Sequence, residues 1–514
     1  MTLVSTLVSL MLLSVALGWL ALRLRVPYPM VLVIGGLVVS LVPGLPRPDL
    51  DPAVVLVIFL PPILYQAALM TSIREFRANI RPISLLAIGL VIATTLAVGV
   101  GAHLLLGLPW FVCLLIGAII SPPDAVAATA VLSRMRMPRR IVAILEGESL
   151  INDASGLVIY KLLVVAVLAG SFSLVEAGFE FVTVAALGIL IGLVAGWLSL
   201  WLHVRLKAPM LEVTLSLVLP FAIYVAAELV HGSGVLAVVA AGLLRSWYSP
   251  EAFQPMARIL ALGTWNVVVF VLNALVFVLI GLEIGGGMGS GLAEFSHLID
   301  EGLLLTLVAM IVRFVWVFGI TGVQRLLPGQ REPMPPWRWL FVISFCSMRG
   351  IVSLAAALAL PPEVAGRSEV IVLVFVVIVV TLLSQGLSLP WLIRRLGIGE
   401  DVDLATEEHT ARVKTAFAGW QAVEAEAARG SYPAPVVAAL STEYRLRLAE
   451  EKAVRPTVAP ADDPIRRLRL IALAAERRRL IKLRRDLQIG DEVLHRLQRE
   501  LDFEEARLTG AVDG

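Results

Sequence analysis

Residues 1–400 consist of long apolar runs broken by short polar connections. A helix that crosses a bilayer needs ~20 mostly apolar residues. On that criterion the chain predicts thirteen spans, at 3–22, 27–45, 51–70, 80–106, 109–132, 141–168, 182–203, 210–231, 233–248, 258–284, 299–322, 338–359 and 369–392. The ninth is short, and its separation from the eighth rests on His231–Gly232. The first span lacks a basic segment before it and a small-residue cleavage site after it, so it reads as a retained helix rather than a leader.

Residues 401–514 follow a different rhythm. Amphipathic stretches around 406–429, 433–452 and 464–508 predict helices, and Leu473, Leu480, Leu487, Leu494, Leu501 and Leu508 recur every seven residues. That heptad invites a coiled coil. Gly490 followed by Asp491 reads instead as a helix stop and a new N-cap, so two short packed helices are the preferred reading of the third stretch. The expected organisation is a transmembrane domain over 1–398 and a helical tail over 399–514, the tail regulatory or dimer-stabilising rather than catalytic.

Charge supports both the spans and their orientation. Connections after odd-numbered spans carry Arg23 and Arg25; Arg74, Arg77 and Arg81; Arg134, Arg136, Arg139 and Arg140; Arg205 and Lys207; Arg245 and Arg258; Arg325, Arg331 and Arg338; and Arg394 and Arg395. Those after even-numbered spans carry only Arg47 and Arg367. The positive-inside rule then puts the N-terminus outside and the tail in the cytoplasm of a cell (inner) membrane protein. Overall the chain is 58% hydrophobic and only 16% charged, well below the roughly one-quarter charged residues of a soluble protein. Its net charge of +2 argues against a nucleic-acid partner. Cys113 and Cys346 lie in apolar runs and, like the six scattered histidines, form no metal-binding spacing.

Ionisable residues deep in spans are costly, and each is a functional hypothesis. Asp124 sits mid-span in Ser121-Pro122-Pro123-Asp124-Ala125. Two prolines remove backbone donors and clash with the preceding turn, which predicts a helix broken beside a carboxylate, the common construction of transporter ion sites. The sixth span reads Glu146-Gly147-Glu148-Ser149-Leu150-Ile151-Asn152-Asp153-Ala154-Ser155-Gly156. Ser149, Asn152, Asp153 and Gly156 share one helical face, offering hard oxygen ligands suited to an alkali cation. Glu148 points ~140° away from Asp153. In the twelfth span Arg349 requires a carboxylate, because its charge cannot be removed by deprotonation; Glu148, Asp124 and Asp153 are the candidates. Arg313, mid-span in the eleventh, is either a second structural cation or part of an inner vestibule.

These segments together resemble the monovalent cation:proton antiporter-1 family, which includes bacterial sodium/proton antiporters and the animal sodium/hydrogen exchangers. The resemblance is carried by Phe59-Leu-Pro-Pro-Ile-Leu-Tyr65, Ser121-Pro-Pro-Asp-Ala-Val-Ala, Glu146-Gly-Glu-Ser-Leu-Ile-Asn-Asp-Ala, Gly234-Val-Leu-Ala-Val-Val-Ala-Ala-Gly-Leu and Ser347-Met-Arg-Gly-Ile-Val-Ser, in the family's order over residues ~50–390. It implies an all-α membrane protein of about thirteen helices in two inverted six-helix repeats, with broken fifth and twelfth helices crossing at mid-membrane. It also implies a homodimer, with helices 1–3 and 7–10 as dimerisation domain and helices 4–6 and 11–13 as moving core. Asp153 would be the ion- and proton-binding carboxylate and Ser149 a ligand to the alkali cation. Asn152 would mark the electroneutral branch, Pro123 would offer a main-chain carbonyl beside Asp124, and Glu148 with Arg349 would form a buried ion pair. Gln66 stands where many relatives carry Asp or Glu on the third helix.

The expected function is exchange of sodium or lithium for protons by alternating access, electroneutral and without a cofactor. A potassium/proton antiporter on the same scaffold is the alternative within the class; a membrane ion sensor or channel signalling through its tail is the alternative outside it. An enzyme would need a nucleophile–base pair or metal cluster within the spans, and the sequence offers neither.

Overall fold

A computed structural model of the chain describes residues 2–24, 26–40, 42, 52–124, 128–129, 132, 135, 137–169, 173–206, 208–252, 255–288, 297–326, 335–398, 402–430, 432–453 and short stretches between 472 and 508. It divides into two compact units, residues 1–400 and 401–514. The described regular elements are helices throughout, as burial in lipid demands of a backbone that must satisfy its own hydrogen bonds.

In the first unit α1 covers Thr2–Leu24, α2 Tyr28–Ser40, α3 Pro52–Met70, α4 Ile73–Ala78 and α5 Ile80–Leu106. A π-helical turn at Leu85–Leu90 interrupts α5. Next come α6 (Trp110–Ile120), α7 (Arg139–Ala169), α8 (Leu174–Leu206), α9 (Pro209–Leu229), α10 (Gly234–Ala252) and α11 (Pro255–Met288). The unit ends with α12 (His297–Leu326), α13 (Trp337–Phe345), α14 (Ile351–Leu358) and α15 (Arg367–Leu396). By length and composition seven of the described helices can each cross a membrane, and five shorter apolar helices accompany them. Between the eighth and ninth expected spans the chain does turn: α9 ends at Leu229, His231 adopts φ 57°, and α10 starts at Gly234.

Within this unit the helices pack in two sets that share one apolar core. In one, α2 lies along α11, and α8 along α10, with α1, α3 and α9 completing the set. The approach of α8 to α10 depends on Gly188, Gly192 and Gly196, one per turn. A Cβ at Gly192 would strike the Ala237 carbonyl, and one at Gly196 would lie 3.1 Å from the Ala241 Cα. Small residues at this spacing let backbones meet where lipid supplies no hydrophobic drive for association. The second set joins α5, α6 and α7 to α12, α13, α14 and α15. Large apolar side chains such as Val175, Phe179 and Trp197 of α8 point outward, at 83%, 76% and 64% exposure, a surface suited to lipid and not to water.

In the second unit α16 (Val402–Ala428) and α17 (Ala434–Ala453) pack as a hairpin across a turn at Gly430, where φ is 69°. Ser441 Oγ and Trp420 Nε1 both donate to Glu424 Oε1, at 2.9 and 3.2 Å. The choice between a coiled coil and two short helices at Gly490–Asp491 lies outside the described residues.

Candidate ion site at two crossed helix breaks

Both expected breaks are present, and they touch. Helix α6 stops at Ile120, and Ser121 to Asp124 leave the helical path. Pro122 and Pro123 cannot donate to the turn behind them. Helix α13 stops at Phe345, the chain runs non-helically through Cys346–Gly350, and α14 begins at Ile351. The Asp124 N–H donates to the Met348 carbonyl at 2.7 Å, joining one break to the other. Gly350 makes the crossing possible, since a Cβ there would collide with the Asp124 carboxylate.

Buried backbone groups freed by a break need new partners, and α15 supplies them. Gln385 Oε1 accepts from Ser347 N–H at 3.0 Å, while its Nε2 donates to Ser347 Oγ, also at 3.0 Å. Thr381 Oγ1 accepts from Arg349 N–H at 3.1 Å. On the other break, Asn152 Nδ2 donates to the Pro123 carbonyl at 2.9 Å. Asn152 is wholly buried and braces the break, and its remaining oxygen has no hydrogen-bond partner among the described residues.

Beside the crossing lies a cavity of about 450 Å³ between the two helix sets. Asp124, Ser149 and Asp153 line it from one side, and Gln66 of α3 lines it from the other. Thr129, Glu146, Asn266 and Asn273 also face it. The sequence reading did not single out these four, although a signal existed for three. Glu146, Ser149 and Asp153 stand at i, i+3 and i+7 on α7, and Asn266 and Asn273 are seven apart on α11, so each group shares a face. Asn273 is 3% exposed, and its side-chain oxygen lacks a partner among the described residues. Hard oxygen donors from three helices therefore line one cavity with Asp153, an arrangement suited to an alkali cation.

The buried ion pair differs from the one the resemblance implied. Glu148 pairs with Arg313 of α12, not with Arg349. Arg313 Nη1 and Nη2 grip the two carboxylate oxygens in a fork, the second at 2.7 Å, and both groups are about 2% exposed. Arg313 also donates from Nε to the Ile343 carbonyl at 3.1 Å, which bridges α12 to the last turn of α13. Arg349 instead binds main chain: its Nε donates to the Ile120 carbonyl at 2.7 Å and its Nη1 to the Ser347 carbonyl. These carbonyls were released by the two breaks, so Arg349 serves as a cap shared by both half-helices. The physical reason is reach: α12 brings Arg313 directly against the Glu148 face of α7, and the end of α6 takes up the Arg349 guanidinium first.

Across the two helix sets, Lys161 of α7 meets Glu228 of α9, with Nζ 2.8 and 3.1 Å from the two carboxylate oxygens. It lies eight residues, ~12 Å, beyond Asp153 toward the end of α7 opposite Glu146.

Comparison with known proteins agrees with this architecture. Residues 9–395 match the family described as sodium/hydrogen exchanger, transmembrane. An uncharacterised Na+/H+ exchanger of Mycobacterium tuberculosis is 36% identical over 514 residues, covering 96% of this chain and 93% of that protein. A sodium, potassium, lithium and rubidium/H+ antiporter of Bacillus pumilus is 33% identical, covering 92% and 73%. The sodium proton antiporter MjNhaP1 of Methanocaldococcus jannaschii has a similar fold, with a TM-score of 0.61 at 21% identity over 77% of this chain and 99% of that one. A chain that matches the family over nearly all of its apolar unit, and that folds with two broken helices crossed beside a buried aspartate, belongs to the transmembrane sodium/hydrogen exchanger family of monovalent cation:proton antiporters.

Proposed function

We propose that the chain exchanges sodium or lithium for protons one for one, by alternating access, with Asp153 carrying cation and proton in turn. The observation that carries this reading is the cavity that brings Asp153, Asp124, Ser149 and Gln66 together at the crossed breaks. A carboxylate in such a place binds one positive charge at a time, either a proton or a cation with the neighbouring oxygens completing its shell. Ser149 Oγ and the Gln66 amide oxygen act as neutral ligands, and Asp124 sets the field of the site. Pro123 O, already accepting from Asn152, keeps a second lone pair on that side.

Alternating access requires one helix set to move against the other. We assign α1–α3 and α8–α11 to the scaffold that pairs two copies of the chain, and α5–α7 with α12–α15 to the moving core. With half-helices α6 and α13–α14 counted in their spans, this corresponds to thirteen spans in two inverted repeats. By the positive-inside rule we assign the Glu146 end of α7 to the cytoplasmic side. The cavity then opens inward, and Lys161–Glu228 closes the outer side.

Gln66 supports a second reading, in which potassium is carried as well. An amide in place of a carboxylate weakens selection for a small, strongly hydrated cation, and the Bacillus pumilus relative is named for four alkali ions. Proton-coupled flux in proteoliposomes, with sodium, lithium and potassium offered in turn, decides between them. Saturable counter-movement of protons with sodium and lithium is expected. Uncoupled, non-saturating cation current would remove the antiporter reading in favour of a channel.

A further inference from the structure

A second cavity, of about 470 Å³, lies between α4, α5, α7, α12 and α13 and shares no lining residue with the ion site. Three arginines line it, Arg77, Arg81 and Arg140, and among the described residues that line it none is acidic. Arg77 and Arg81 are exposed, and Arg140 is half-buried with its Nε donating to Asn79 Oδ1 at 3.0 Å. Behind the arginines the walls turn aliphatic, including Leu86, Ile144 and Ile320, and the indoles of Trp316 and Trp339 border them. Trp316 is fixed there, because its Nε1 donates at 3.1 Å to the Leu85 carbonyl, where the π turn begins. The cavity therefore has a cationic mouth, an aromatic border and an apolar interior, all at the basic ends of the spans.

We infer that this cavity binds an anionic phospholipid, with the phosphate among Arg77, Arg81 and Arg140 and the upper acyl chain against Ile144 and Ile320. A bare phosphate would satisfy the mouth and leave the apolar walls behind it without contact. A neutral lipid would fill the interior and offer no anion to Arg77 and Arg81. Basic pockets between spans on the cytoplasmic side commonly hold anionic head groups for this reason. The cavity is lined by Trp316 and Ile320 of α12 and by Ile343, whose carbonyl accepts from Arg313, so an occupant braces the helix that carries the arginine of the buried ion pair.

The test is lipid retention by the full-length protein in neutral detergent, read by native mass spectrometry with phosphatidylglycerol or phosphatidylcholine added in mixed micelles. The unaltered chain should retain phosphatidylglycerol in clear preference. Arg77→Gln with Arg81→Gln should weaken it by about thirty-fold, given the usual contribution of each basic residue near an anionic surface. Ile320→Trp, which fills the interior without altering charge, should weaken it too. Arg394→Gln with Arg395→Gln, on the same side but away from the cavity, should have no effect. Equal retention of the two lipids, equal loss in the Arg394/Arg395 control, or full retention in the Ile320 variant would overturn the proposal. Displacement of the lipid by millimolar glycerol phosphate or inorganic phosphate would also overturn it, in favour of a soluble anion. Lipid preference and phosphate competition are read on the unaltered protein, so misfolding of a variant does not leave the question open.

Discussion

Glu148 and Asp153 lie five residues apart on α7, at 1% and 7% exposure, and their surroundings differ in one decisive respect. Glu148 faces α12 and is held in a fork by Arg313. Asp153 faces the cavity, and among the described residues no cationic side chain pairs with it. A buried charge is tolerated only when it is compensated. For Glu148 the compensation is built into the protein and permanent. For Asp153 it must come from outside, as a proton or a cation, and that is the property a carrier needs. The same side chain chemistry is thus paired on one face of a helix and, under the proposed exchange, left for a mobile charge on the other, and the neighbouring helix decides which.

The largest effect should come from removing the exchangeable site. Asp153→Asn should abolish cation/proton exchange in proteoliposomes while the protein still folds, since an amide neither releases a proton nor neutralises a cation. In the unaltered protein, exchange should fall at low pH, where protons hold the site, and at high pH, where none return. Normal rates in the mutant, or a monotonic pH profile over the accessible range, would end the comparison drawn above.

The fixed site should fail differently. Arg313→Ala or Glu148→Ala leaves a buried charge uncompensated and should cost about 3–5 kcal/mol of stability, seen as lost folded yield and a lower thermal midpoint. The Glu148→Ala/Arg313→Ala double variant should recover part of that loss. Glu148→Ala with Arg349→Ala should not, because Arg349 serves the Ile120 and Ser347 carbonyls. Rescue by Arg349→Ala in place of Arg313→Ala would reverse the assignment of the pair.

That distinction was only half legible in the sequence. The spans, the Pro122–Pro123 break and the Ser149–Asp153 face follow from apolar length, proline chemistry and helical spacing, all of them local properties. Glu146 follows from the same spacing, had it been carried one turn further back. The partner of Glu148 does not, because α7 and α12 are joined by long stretches of chain and nothing local sets their mutual rotation. Nor do Thr381 and Gln385, which look like ordinary polar residues in an apolar span until the α13–α14 break exposes the N–H groups they receive. The resemblance named residues that do gather around the crossed breaks, but for Glu148 it named a partner that the packing does not provide.

A smaller change should sharpen the contrast from the cavity side. Gln66→Glu adds a second carboxylate to the lining shared with Asp153. It should tighten apparent cation affinity by roughly tenfold, about 1.4 kcal/mol, or move the pH profile, since cation and proton are attracted alike. Sodium dependence of the initial rate at two pH values measures both. An unchanged affinity and profile would mean that Gln66 lines the cavity without reaching the ion.

The smallest expected effect is a null one, and it follows from counting charge on the core proposed to move. Asp153 is neutral with a proton and neutral with a monovalent cation. Glu148 and Arg313 cancel each other in both states, and Arg349 stays cationic throughout. Asn152, wholly buried and bonded to the Pro123 carbonyl, is an amide and carries no titrating proton. Asp124 is the remaining group, and it must hold one protonation state through the cycle; its backbone N–H, tied to the Met348 carbonyl, keeps it in the same place at the crossing. The loaded core then has equal charge in both directions, and the membrane potential does no net work on it. Were one net charge moved per turnover, 100 mV would bias the cycle by ~2.3 kcal/mol, about fifty-fold in the final gradient. Proteoliposomes holding a valinomycin-set potential should therefore reach the same sodium distribution as unpolarised ones at a fixed pH gradient. A fifty-fold shift would make Asp124 a second titrating carboxylate, and the division between one fixed and one exchangeable charge on α7 would have to be redrawn around a pair.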